Sequence, residues 1–171
     1  NGVALRDEIH PASDTPLRWI TLFNSPFTFS AVTARASALR FDPSVIPAED
    51  YAYCADQLDQ GGGVILDEVL AAYRVHPGQV TKRRNDLLRD SGNQISSRKI
   101  KERLGVDLPL DLVFLMRHLL AFGWERLSPE HHGDAQAAEA MLFQLFALFK
   151  RDPNLNDMDL AEIRNSLLRR A

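Results

Sequence analysis

Past Lys82 the apolar residues fall into a helical step. Leu112, Leu115, Met116 and Leu119 recur at three- and four-residue spacing, as do Leu142, Leu145, Phe146 and Phe149. That period puts each set on one face of an α-helix, and such a face must be buried against another element. The second half is thereby constrained to a helical bundle, with helices predicted near 83–104, 109–122, 134–150 and 157–169. Gly105, Gly123 and Pro153 mark their ends, and Asp134 and Asp157 are the expected N-caps.

Before Lys82 the text is different. Six of the nine prolines lie there, with most of the glycines, and they punctuate short segments. Ser13-Asp14-Thr15-Pro16 offers capping residues and a first-turn proline, so a short helix is predicted over 15–24. The run 26–32 is β-prone and reads as a strand, and 34–40 as one or two helical turns. Glu49 and Asp50 follow a loop stiffened by Pro43 and Pro47 and open a helix that Gly61-Gly62-Gly63 ends. Segments 64–66 and 68–75 read as two further strands around Asp67.

Composition removes several classes. At 171 residues the chain suits one ordinary domain, or one with an appendage. Its 45% hydrophobic and 25% charged content is globular, and a net charge of −3 gives no basic excess for nucleic acid. Cys54 is the only cysteine, so no internal disulfide or cysteine-rich zinc site forms. The greasiest stretch, Met141 to Phe149, is far short of the ~20 residues that span a bilayer. Opening on Asn1-Gly2, with no signal-peptide pattern, the chain reads as an excerpt of a longer one.

Two constellations carry chemistry. Glu49-Asp50 sits at a helix start, where unpaired backbone N–H groups favour negative charge. A carboxylate there suits a general base that takes a proton from a hydroxyl nucleophile; the plainer reading is two acids in a first turn. In Tyr73-Arg74-Val75-His76-Pro77-Gly78-Gln79, strand alternation puts Arg74 and His76 on one face. Together they suit a diphosphate or a metal ligand set, and the plainer reading is a solvated strand end. His131-His132 and Asp157-Met158-Asp159 read as a turn and a cap. The Phe- and Met-rich face of 134–150 reads as core, with a partner groove as the other reading.

In order, Asn24-Ser25-Pro26, Phe41-Asp42, Glu49-Asp50-Tyr51, the glycine stretch and Leu70-x-x-Tyr73-Arg74-x-His76-x-Gly78-Gln79 resemble the C-terminal half of a family 2 glycosyltransferase of the GT-A fold. The resemblance covers about residues 9–84. It implies an α+β class, in which 1–82 is the acceptor-side half of a GT-A domain with a few mixed strands, and 83–171 is an all-helical tail. It further implies an inverting, non-processive transfer of sugar from a nucleotide diphosphate donor to a glycan, lipid or other hydroxyl acceptor. Asp50 would be the catalytic base and Glu49 would bind the acceptor. Arg74 and His76 would lie near the donor diphosphate or metal. A divalent cation, Mg or Mn, belongs to the intact enzyme and none to this portion, where His76 alone is a candidate ligand.

The resemblance stops short in two places. The nucleotide-binding half with its Asp-x-Asp is absent, so the chain alone should be inactive and should expose sheet edges through which copies associate. The Gln-x-x-Arg-Trp signature of processive synthases is missing too, since Arg18-Trp19 has Thr15 where glutamine belongs. The implied location is cytoplasmic, at most peripheral at the inner face of a membrane. The alternative function is a non-catalytic helical interaction module that binds a partner through its tail.

Overall fold

The computed structural model describes residues 13–36, 40–45, 47–72, 85–127 and 131–168. Among the described residues six α-helices follow in order: α1 Asp14–Ile20, α2 Glu49–Gly61, α3 Asn85–Leu104, α4 Leu110–Phe122, α5 His132–Phe149 and α6 Asp157–Leu168. Short 3-10 turns lie at Phe29–Ala31 and Trp124–Arg126. No described residue is in a strand.

The expected α+β class is therefore corrected to all-helical. In place of the strand over 26–32 there is a 3-10 turn, and Phe29 turns toward Phe41 and Tyr53. Residues 64–66 and 68–72 are irregular, with Val64, Leu66, Val69 and Leu70 exposed; 73–75 lie outside the described residues. The physical reason is pairing. β-branched side chains favour a strand only where a neighbouring strand completes the ladder, and none stands beside these segments. With no strand among the described residues there is also no sheet edge for copies to pair along.

The four helices of the second half form within a residue or two of expectation, but two caps differ. α6 is capped by Asn156, whose Oδ1 accepts the backbone N–H of Met158 at 2.9 Å and of Asp159 at 3.3 Å. Asp157 and Asp159 instead lie in its first turn, complementing the helix dipole. Asp134 likewise lies in the first turn of α5, whose N-cap is His131.

One hydrophobic core takes side chains from both sides of Lys82. Trp19, Leu22 and Phe23 join Ile100, Met116, Leu145, Phe149 and Ile163. The Trp19 ring lies 5.1 Å from Phe23, 5.6 Å from Phe146 and 5.2 Å from Phe149, edge-on or tilted, as aromatic quadrupoles prefer. α1 has only seven residues, too few to persist alone in water. Other helices hold its C-terminal end by taking up the carbonyls of Arg18 and of the turn that follows it. Arg103 of α3 donates to Arg18 O at 2.7 Å, Tyr51 of α2 to Thr21 O at 3.1 Å, Ser96 of α3 to Leu22 O at 2.5 Å, and Arg117 of α4 to Phe23 O at 2.6 Å. Carbonyls at a helix end need such partners from outside the helix.

At its other end α1 is tied by Asp14, which pairs with Arg18 at 2.5 Å and accepts the Gly63 N–H at 3.0 Å. Gly62 makes that approach possible. Its φ is +73°, and a Cβ there would sit 2.9 Å from the Asp14 carboxylate. The glycine stretch is thus the turn that folds the end of α2 back onto the start of α1.

Candidate functional site

α2 carries the acidic pair expected to do chemistry, and two helices hold it in place. Tyr51, Ala52 and Ala55 face α1 and α3 and close a small cluster with Ile95. The Tyr51 hydroxyl is spent on the Thr21 carbonyl at the end of α1, and burial raises its pKa well above the phenol range. One face of α2 is therefore fixed. Glu49 and Asp50, on its first turn, are exposed.

Ala48, immediately before the pair, has φ +89°, and it is the one described non-glycine residue in the left-handed region. A methyl-bearing residue held there is strained. The strain turns the chain sharply from the proline loop into α2. Asp50 Oδ1 accepts the Tyr51 N–H at 2.8 Å, which orients the carboxylate at the helix start. One turn on, the Cys54 thiol is buried; burial pushes it up to about 12, and the Asp50 charge adds to the shift. Cys54 is accordingly an inert thiol, and no nucleophile stands behind Asp50.

A second cluster on α2, absent from the sequence expectations, joins it to α3. Lys99 is only 3% exposed, yet its ammonium lies 2.5 Å from Asp56, 2.7 Å from Asp59 and 2.9 Å from Glu102. Arg98 reaches Asp56 at 3.1 Å, and Arg103 pairs with Asp59. Burial pushes the Asp59 carboxyl up, but Lys99 and Arg103 outweigh it and hold it below the usual range. Burial likewise opposes charge on Lys99, and its three carboxylates more than restore it. The sequence signal was available as acids at 56 and 59 on one helix and bases at 98, 99 and 103 on another. It could not be paired without the fold.

The carboxylate oxygens of Asp56, Asp59 and Glu102 lie within 4.8 Å of one another, a spacing that would suit a divalent cation. The chain supplies its own cation instead. Lys99 sits among them at hydrogen-bond distance, so these donors do not fit the Mg or Mn implied by the resemblance. Asp157 and Asp159, read from the sequence as a cap, lie in the first turn of α6. His76, with Arg74, lies outside the described residues.

The apolar face of α5, the surface a tail-borne interaction module would present, is consumed internally. Leu142, Leu145, Phe146 and Phe149 are all buried in the core. Among the described residues, no helix is long and apolar enough to cross a membrane. Comparison with known proteins gives no relative to lean on: no family model, no curated protein and no solved structure matches the chain.

Proposed function

We propose that this chain is the acceptor side of an inverting, non-processive sugar transferase related to family 2, acting in the cytoplasm or at the inner face of a membrane. The observation that carries the reading is the placement of Glu49 and Asp50. They are exposed and oriented on the first turn of a helix whose other face is locked to α1 and α3. They occur there in the motif order that resembles the family. A helix start, with no strand beneath it among the described residues, carries the chemistry.

Asp50 acts as the general base. Its carboxylate accepts the proton of an acceptor hydroxyl while the hydroxyl oxygen forms a bond to the anomeric carbon of the donor. The bond from that carbon to the nucleoside diphosphate breaks, and its electron pair leaves with the diphosphate. Configuration inverts because attack comes from the opposite face. Glu49 positions the acceptor. Arg74 and His76 keep the donor-side role that the resemblance implies, and the donor half belongs to sequence outside these residues.

The test is Asp50→Asn in an intact transferase containing this chain. Asparagine keeps the shape and loses the basicity, so kcat should fall by about two to four orders of magnitude, the usual worth of general-base assistance. Donor binding should survive, because Asp50 faces the acceptor. Near-full activity in a normally folded variant would remove Asp50 from the reaction. The 171 residues by themselves should turn over no nucleotide sugar, since there is no positioned donor to attack.

A further inference from the structure

We draw no further inference here: the strongest candidate, the surface patch of Val64, Leu66, Val69 and Leu70 on the chain that leaves the glycine turn after α2, carries nothing because nothing in the structure shows what covers it.

Discussion

Two seams in this protein are closed by opposite means. Between α4 and α5 the contact is apolar, with Leu115, Met116 and Leu119 on one side and Ala138, Leu142 and Leu145 on the other, all buried. Between α2 and α3 a few apolar residues are joined by a knot of charge centred on Lys99. The apolar seam draws on water exclusion, which is indifferent to protonation. The charged seam holds only while its carboxylates are ionised and its ammonium protonated. The helix that bears Glu49 and Asp50 therefore stands on the conditional seam, and the bundle beneath it on the unconditional one.

The largest effect should come from cutting the apolar seam. Leu145 is fully buried, and Leu145→Ala should cost about 4 kcal/mol by lost transfer energy and the cavity left behind. Urea unfolding should give the same loss at pH 5 and pH 8; a pH-dependent loss would break the contrast. Lys99→Met should cost about 3 kcal/mol, because it removes the central cation of three carboxylates and leaves them only Arg98 and Arg103. The figure is at the low end for a buried pair, since those carboxylates are 30–46% exposed and water screens them.

The pH profile sharpens the comparison. The folded carboxyl of Asp59 lies below its ordinary value, so its contribution is full above the unfolded value near 4 and is lost as pH falls through the lower folded one. The folded ammonium of Lys99 lies above its ordinary value. Its contribution is full below the unfolded value near 10.4 and is lost as pH rises past the folded one. Wild-type stability should thus be flat from about pH 5 to 8 and fall on both sides. The alkaline fall also draws on Cys54 and Tyr51, whose burial holds their protons in the fold, so Lys99→Met should lessen it without removing it. An alkaline fall unchanged in Lys99→Met would show that Lys99 is not among its sources. The smallest effect is a gain. Ala48→Gly should raise stability by about 1 kcal/mol, by relieving the left-handed strain at the start of α2. A loss on thermal melting would mean that the strain is not there.

What the sequence discloses differs along the chain for physical reasons. The helices with an apolar stripe, such as Leu112 to Leu119 and Leu142 to Phe149, are legible because the stripe is the cause of their packing. α3 is legible as a helix, but its buried face is not, since that face carries Asn93, Ser96 and Lys99 at helical spacing. These polar residues are buried because each meets a specific distant partner, and no periodicity of hydrophobicity encodes that. Asn93 Oδ1 accepts from Arg117 at 2.5 Å, for instance, across 24 residues. The strands at 26–32, at 64–66 and over the described part of 68–75 are misread for the converse reason, because Val64 and Ile65 report a preference that needs a neighbour to act. Glu49-Asp50 is found correctly at a helix start, by a local signal. The stacking of Phe41 on Tyr53 brings a loop residue to a helix residue, and nothing in either segment announces it.

The carbonyls of α1 have a consequence in time. Their donors come from Tyr51, Ser96, Arg103 and Arg117, which lie 30 to 94 residues further along the chain. Closing loops of that length costs entropy before any contact repays it, so such bonds form late. Synthesis runs from the N-terminus at about 5–20 residues per second. The segment that will become α1 must then wait some seconds for Arg117 to emerge. During that wait Trp19 has only Phe23 of its three ring partners, because Phe146 and Phe149 are still unmade. Of the described helices, the earliest made is among the last to be finished, and until α4 exists the start of the chain is the part most in need of protection.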